Sequence, residues 1–294
     1  MHVLVTGGTG FIGRALCQQL LRAGHEPCVL TRSPAEAAAK LPGVRLIGQL
    51  EEAGPMEAVV NLAGEPLADA RWTTQRKQAF RDSRIGTTQR LLHWIETQPL
   101  RPRVLVSGSA IGYYGPRDDA PLNEEAPAGS DFAAQLCRDW EAEALRAQAL
   151  GLRVCTVRIG VVLGGDGGAL AKMLPPFKLG AGGPMGDGTQ WMSWVHRQDL
   201  VRLILWLLEH EHAQGAYNAT APTPLRNRDF AHTLGKVLHR PAVLTTPAMA
   251  LKLMFGEMST LLLTGQRVVP VRAQAGGFVF EHPGLEATLR DVLE

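Results

Sequence analysis

The chain begins with a short apolar run at positions 3–5, then glycines at positions 7, 10 and 13, then apolar residues at helical spacing. A buried strand, a tight turn and an amphipathic helix account for this order, because the run is continuous and the later spacing has a period near 3.6 residues. The helical stripe runs from Ile12 to Leu20, and Gly24 ends the helix. Residues 27–31 form a second predicted strand.

A strand, a glycine turn and a helix in this order are typical of a dinucleotide-binding site. A tight turn with no ligand is the alternative, but the spacing Gly7-x-x-Gly10-x-x-Gly13 lets backbone N–H groups approach a pyrophosphate, which a Cβ would hold away. Gly13 also lets the helix pack closely on the strand. We therefore predict that the cofactor contacts in this stretch are Gly7, Thr9, Gly10, Phe11, Ile12 and Gly13.

The residues after the second strand indicate which dinucleotide binds. NAD-specific folds usually carry a ribose-binding acid about 20 residues beyond the glycine turn. This chain has Thr31 and Arg32 there instead. Because a guanidinium pairs with a 2′-phosphate and a carboxylate repels it, we predict NADP(H) and assign both residues to its binding. The alternative is that Arg32 is an ordinary surface arginine.

Further apolar runs predict strands at 44–48, 58–64, 104–107 and 153–159, with helices at 75–96 and 132–149. The fourth strand ends in small residues, which leave room for a cofactor at the carboxyl edge of a parallel sheet. From these elements we assign as cofactor contacts Leu62, Ala63, Gly64, Arg84 and Ser107.

The chain resembles an extended short-chain dehydrogenase/reductase, specifically the atypical nucleoside-diphosphate-sugar-epimerase-like group. The resemblance rests on four motifs in order, at residues 6–13, 61–66, 107–115 and 186–200. It implies that Ser109 takes the serine position of the superfamily, that Val162 borders the nicotinamide, and that His196 is a structural histidine.

The resemblance fails at the Tyr-x-x-x-Lys pair, whose side chains share one helix face and support proton transfer. Alignment through Trp140-Glu141 places Ala133 at the tyrosine position and Cys137 at the lysine position. The catalytic candidates are therefore Ser109, Tyr113 and Tyr114, although turn formation by the serine and aromatic packing by the tyrosines are the alternatives. We interpret Cys137 as a small buried residue.

The predicted fold class is α/β, a Rossmann-type doubly wound parallel sheet with a smaller C-terminal α/β lobe that binds substrate. We expect residues 1–163 to form the NADP-binding domain, with 192–220 returning to it, and residues 164–191 and 221–294 to form the lobe. The glycine-dense stretches around residues 164–168 and 180–188 are interpreted as flexible connections bordering a substrate pocket. In a predicted helix at 247–263, Met249, Leu253, Met254, Met258 and Leu261 are interpreted as core.

The composition narrows the functional classes. The 294 residues carry a formal net charge of +2, with 45% hydrophobic and 20% charged residues. This balance argues against nucleic acid or an anionic membrane as a partner, and no apolar run is long enough to span a bilayer.

The four cysteines are scattered, so we expect no metal site and a cytoplasmic protein. His210 and His212 are interpreted as surface residues, and the oligomeric state is left open.

The sequence therefore favours an NADP(H)-binding reductase or epimerase that acts on a small polar substrate. A nucleotide sugar is the substrate that the resemblance implies. The alternative is a regulatory or scaffold protein that binds NADP(H) without catalysis, as the missing Tyr-x-x-x-Lys pair would allow. A protein-interaction module would leave the glycine turn and Arg32 unexplained.

A first prediction concerns cofactor selectivity. Arg32→Ala should weaken NADPH binding by about 2 kcal/mol, because a charge-assisted contact to the 2′-phosphate is lost. NADH lacks that phosphate, so its binding should barely change. Titration of both dinucleotides into both proteins checks this, and equal effects on the two would contradict it.

Overall fold

The computed structural model describes residues 1–294 and contains one large parallel sheet with helices on both faces. In chain order the strands are β1 His2–Thr6, β2 Glu26–Leu30, β3 Arg45–Ile47, β4 Ala58–Asn61, β5 Val104–Ala110, β6 Arg153–Ile159, β7 Val161–Leu163, β8 Trp191–Met192, β9 Trp194–His196, β10 Gly215–Ala219 and β11 Leu225–Arg226.

The large sheet has the order β10-β6-β5-β4-β1-β2-β3, and every neighbouring pair is parallel. The chain runs outward from β1 through β2 and β3, then returns to the other side of β1 with β4. Ligands of such sheets bind at the carboxyl ends of the strands where the order reverses. The predicted Rossmann-type fold is confirmed, and its switch point lies between β1 and β4.

The helices are α1 Phe11–Arg22, α2 Pro34–Ala38, α3 Thr74–Arg81, α4 Thr87–Thr97, α5 Phe132–Leu145, α6 Gly168–Lys178, α7 Arg197–Glu209, α8 Asn227–Val237, α9 Ala248–Phe255, α10 Thr260–Leu263, α11 Val271–Ala275 and α12 Leu285–Leu293. None of them combines the length and apolar composition needed to cross a lipid bilayer.

Two apolar layers enclose the large sheet. On one face α1 and α7 bury residues such as Leu16 and Leu203, and on the other α4 and α5 bury residues such as Leu91 and Ala144. Continuous apolar strands such as β4 are expected for a sheet covered on both faces. These layers hold the carboxyl ends of the strands in place.

The C-terminal lobe has its own core, in which α6, α8 and α12 surround β7, β8 and β9. Trp194, Phe230 and Leu289 are completely buried there. The chain does not divide as simply as we expected, because Ala273 and Phe278 pack in the core of the large sheet. The segment after α10 therefore ties the lobe back to the first domain.

The single helix predicted at 75–96 contains a π-helical turn, Asp82–Gly86, between α3 and α4. Such turns insert one residue into the helix and change the direction of the side chains around it. The Thr88 hydroxyl donates to the Arg84 carbonyl at 2.7 Å and accepts from the Asn61 amide nitrogen at 2.9 Å. The turn is thereby fixed to the end of β4.

The helix predicted at 247–263 is also interrupted, at Gly256, whose φ of 58° is incompatible with a continuous helix. The prediction that its apolar residues form core was wrong for most of them. Met249 is 77% exposed and Leu253 75% exposed, whereas Met258 is 2% exposed. Periodicity alone did not show that α9 lies at the surface.

His196 joins α12 to the start of α7. Its Nδ1 accepts from the Gln198 N–H at 3.3 Å, and its Nε2 lies 3.2 Å from an Asp291 oxygen. The ring also lies 3.8 Å from the ring of His282, centroid to centroid. Burial, together with the neighbouring His282, lowers the pKa of His196 from 6.5 to about 4. This agrees with the packing role that the resemblance implied.

Because His196 is buried against His282, we predict that acid lowers the stability of the folded protein. Because the pKa of His196 is lower in the folded than in the unfolded chain, the unfolded chain binds this proton first as pH falls. The free energy of unfolding should therefore decrease between pH 6.5 and 4, by about 1 to 3 kcal/mol from this residue. His196→Asn, which keeps an acceptor for α7, should flatten that slope in urea unfolding measured across this pH range. The exposed His212→Asn is the control, and an unchanged slope in His196→Asn would contradict the assignment.

Candidate cofactor groove and active site

The glycine turn after β1 leaves no room for side chains. Gly7 has a φ of 70°, and a Cβ there would lie 2.5 Å from the Leu62 carbonyl oxygen. A Cβ at Gly13 would clash with the carbonyl oxygen of Gly7. The turn is therefore held against both the end of β4 and the first turn of α1.

The start of α1 exposes backbone donors. Gly10 is the N-cap residue and provides no side-chain acceptor. The N–H groups of Phe11, Ile12 and Gly13 consequently have no hydrogen-bond acceptor in the protein. Free N–H groups at the positive end of a helix form an anion site, and their placement fits a pyrophosphate.

A groove of about 1220 Å³ runs along the carboxyl edge of the sheet past this helix end. It brings together eight of the residues predicted to bind cofactor, namely Gly7, Thr9, Gly10, Thr31, Arg32, Leu62, Ala63 and Gly64. The sequence analysis missed the wall formed by Gln49, Leu50, Arg90 and His93. Arg90 and His93 are three residues apart on α4, and this spacing was the available signal.

The other six predicted contacts, Phe11, Ile12, Gly13, Arg84, Ser107 and Val162, lie outside the groove lining. The Phe11 ring packs against the glycine-rich loop at residues 164–168 of the C-terminal lobe. Cβ atoms at Gly164 and Gly168 would lie 2.8 Å from this ring. The loop is therefore a packing partner at these positions, not only a flexible connection. Val162 lies in β7 and packs on the first core. Ser107 is completely buried, so its hydroxyl does not reach the groove.

Ser109 lies at the end of β5 and belongs to a buried network of charged groups. Its hydroxyl donates to Glu141 at 2.6 Å. The Glu141 carboxylate also accepts two hydrogen bonds from Arg158, each 2.9 Å long. Because an arginine-paired carboxylate is ionised and can only accept, the Ser109 proton points to Glu141. The sequence analysis did not identify the Glu141–Arg158 pair. The available signal was the charge of Arg158 between the apolar strand residues Val157 and Ile159.

Arg158 links β6 to the tyrosine turn that follows β5. It donates to the Tyr114 hydroxyl at 3.0 Å and lies 3.5 Å from the centroid of the Tyr113 ring. Burial alone would lower the pKa of Arg158, but pairing with Glu141 holds it above its usual value. The guanidinium stays charged and orders both tyrosines.

The two tyrosines have different environments. The Tyr114 side chain is completely buried, and its hydroxyl donates to Asn218 at 2.6 Å. Burial raises the pKa of Tyr114 to about 12, with Arg158 opposing the shift. This placement does not fit our expectation that Tyr114 is catalytic, because its proton is held in the core. Tyr113 is only half-buried and is the tyrosine left as a candidate.

Ala133 and Cys137 stand where the resemblance places the tyrosine and lysine, and the space beside them on α5 is occupied by the turn Ile111–Tyr114. A Cβ at Gly112 would lie 3.5 Å from the Ala133 Cβ and 3.9 Å from the Cys137 sulfur. Small side chains on α5 thus allow the turn to pack against the helix. Burial raises the pKa of Cys137 to about 12, so its thiol stays neutral, as expected for a buried packing residue.

This groove and fold agree with comparisons to known proteins. The sequence model described as the NAD dependent epimerase/dehydratase family matches residues 3–220, most of the chain. The chain belongs to this family. A second model, described as a domain of unknown function (DUF1731), matches residues 246–292. That region comprises α9 to α12, which include the exposed helix and the segment that packs on the first core.

Members of this family from distant organisms are similar along the whole chain. An Arabidopsis thaliana protein named as a chloroplastic homologue of epimerase family protein SDR39U1 is 44% identical over all of this chain and 87% of its own length. The mouse epimerase family protein SDR39U1 is 40% identical, with both chains fully covered. The crystal structure of human SDR39U1 with NADPH is 38% identical and covers 100% of this chain and 99% of its own, with a TM-score of 0.92.

The buried ion pair generates a stability prediction. Glu141→Gln should lower the free energy of unfolding by about 3 kcal/mol, because Arg158 is left as a buried charge without a carboxylate. Glu286→Gln is the control, since that residue pairs with Lys236 at the surface and should leave the free energy of unfolding nearly unchanged. Denaturant unfolding of both variants measures the difference, and equal small effects would show that Arg158 does not depend on Glu141.

Proposed function

We propose that this protein is an NADP(H)-dependent reductase or epimerase. The observation that carries the proposal is a groove lined by the glycine turn and Arg32, next to the three free N–H groups at the start of α1. The N–H groups suit the pyrophosphate, and the guanidinium suits a 2′-phosphate at the end of β2. The NADPH in the structure of the human relative supports the same cofactor here.

The chemistry that this cofactor makes available is hydride transfer at C4 of the nicotinamide. The residues of the chain would bind and orient the dinucleotide, with Thr9 and Gly10 in the turn and Leu62 to Gly64 beside it. Ser107 and Val162 would pack behind the residues that line the groove. The Ser107 side chain is buried, so it would not touch the cofactor. Ser109 is also buried and its proton is held by Glu141, so it would hold the end of β5 in place beside the site instead of contacting the substrate.

We assign proton transfer to Tyr113. It is the partly exposed member of the tyrosine pair, and Arg158 fixes its ring in one orientation. A phenol that is held in one orientation can give or take the proton that accompanies hydride transfer when the substrate binds next to it. The substrate class is a small polar molecule, and a nucleotide sugar is our specific candidate. A similar protein of 32% identity, from Corynebacterium glutamicum, is named as a nucleoside-diphosphate sugar epimerase, and this chain spans 58% of its length.

The proposal is tested by titrating the protein with NADPH and NADH. The NADPH complex is then incubated with carbonyl compounds and nucleotide sugars while nicotinamide absorbance and product isomers are followed. Selective NADPH binding with turnover or isomerisation supports the proposal. Failure to bind either dinucleotide would overturn it, and binding without turnover of any compound would count against the catalytic part.

Mutation of the assigned proton donor gives a further prediction. Tyr113→Phe should lower kcat by about 10²-fold or more, the usual contribution of a positioned acid or base, and leave NADPH affinity unchanged. Tyr217→Phe is the matched control, because Tyr217 lies in β10 and packs on Trp206. Steady-state kinetics with NADPH titration measures both quantities, and an unchanged kcat in Tyr113→Phe would reassign proton transfer.

A further inference from the structure

The C-terminal lobe exposes most of the large apolar side chains that reach the surface of this chain. Eleven such residues are exposed in the whole chain, and seven of them lie in three segments of this lobe. The seven, which we call the α9 patch, are Leu179, Val243, Leu244, Met249, Leu253, Met254 and Leu261, with exposed fractions from 38% to 84%. None of them lines the cofactor groove.

Main-chain contacts bring these segments together. The segment that follows α6 runs beside the segment that precedes α9, where the Leu244 N–H donates to the Gly182 carbonyl at 3.2 Å. On α9 itself, Met249 and Leu253 are four residues apart and therefore share one face of the helix. The exposed apolar residues thus form one continuous surface from the end of α6 to α9.

The area of the α9 patch matches the apolar part of a protein–protein interface. At about 100 Å² for a fully exposed Leu or Met side chain, the patch presents roughly 500 Å² of apolar surface. Monomeric proteins seldom expose a patch larger than about 300 to 600 Å², and patches of that size are often binding sites. A standard interface buries about 800 Å² on each partner, of which about 60% is apolar. One α9 patch is therefore sufficient for one side of a standard interface.

The charges beside α9 are self-complementary. Lys252 is exposed between Met249 and Leu253, and Glu257 follows the end of the helix. The Glu257 carboxylate accepts from Lys77 at 2.7 Å and is still 47% exposed. When α9 packs antiparallel against its own copy, with a two-fold axis between positions 252 and 257, each Lys252 ammonium faces the Glu257 carboxylate of the other copy. A second copy of the chain therefore pairs both charges.

Two further cations lie at the other end of the α9 patch. Lys178 and Arg240 flank Leu179, and the Arg240 Nε donates to the Lys178 carbonyl at 3.1 Å. In a two-fold contact centred on α9 these side chains lie at the rim, where water screens the repulsion between like charges. They do not oppose the contact at its centre.

We propose that two copies of this chain form a dimer through the α9 patch, with the two α9 helices antiparallel across a two-fold axis. Met249 and Leu253 lie at the centre of the contact, and the apolar residues before α9 extend it to either side. Each copy keeps its own cofactor groove. The dimer does not depend on the proposed NADP(H) function, so either proposal can fail without the other.

The oligomeric state tests this proposal. Sedimentation velocity over about 1 to 100 µM protein should show a monomer–dimer equilibrium for the wild-type chain. Leu253→Glu should raise the dissociation constant at least about tenfold, because a carboxylate would be buried against apolar side chains. Lys252→Glu should raise it about threefold, because carboxylates would then face each other across the axis.

Leu100→Glu is the matched control, since Leu100 is 70% exposed in the loop before β5 and lies outside the α9 patch. It should leave the dissociation constant unchanged. Thermal unfolding checks that each variant is folded. If Leu253→Glu lowers the melting temperature, Lys252→Glu decides the test, because it changes only an exposed charge.

A wild-type chain that stays monomeric across this concentration range would overturn the proposal. Equal effects of Leu253→Glu and Leu100→Glu on the dimer would also overturn it, because the contact would then involve another surface. Vesicles of phosphatidylserine provide a separate comparison. A monomer that binds them, and loses that binding in Leu253→Glu, would assign the α9 patch to a lipid surface instead of a second copy.

Discussion

No side chain fits where the turn after β1 passes the end of β4 and the start of α1. The Gly7 backbone lies against the Leu62 carbonyl, and Gly13 lies against Gly7 itself. This contact brings the free N–H groups of α1 to the point where the strand order reverses. The neighbouring Phe11 then packs against the glycine loop of the second lobe, so one backbone constraint positions the anion site and the lobe that faces it.

The second determining feature is the buried pair Glu141–Arg158. It joins α5 to β6, holds the Ser109 hydroxyl, and orders the two tyrosines that follow β5. Small residues at 133 and 137 allow the tyrosine turn to occupy the space on α5 where the superfamily has its tyrosine and lysine. The cofactor groove is thus retained beside an α5 surface that is covered by the tyrosine turn.

Much of the fold and half of the site followed from local sequence. The strands, the parallel Rossmann-type sheet and the groove residues from Gly7 to Gly64 were predicted, because periodicity and glycine spacing report directly on backbone geometry. The interruption of the 75–96 helix was not predicted, since a π-helical turn leaves no compositional signal. The exposure of Met249 and Leu253 was missed for a related reason. Helical spacing shows that residues share a face but not what that face contacts.

The sequence by itself determined where a dinucleotide can approach the backbone and which residue follows β2, because both depend on neighbours in the chain. Only the tertiary structure decided which polar groups meet. Ser109 and Glu141 are 32 residues apart, and Tyr114 and Asn218 are 104 apart. Whether a tyrosine is half-exposed or fully buried, and whether an arginine pairs with a carboxylate, depends on packing between distant segments. Burial then fixes the charge state of each group, and no local pattern encodes it.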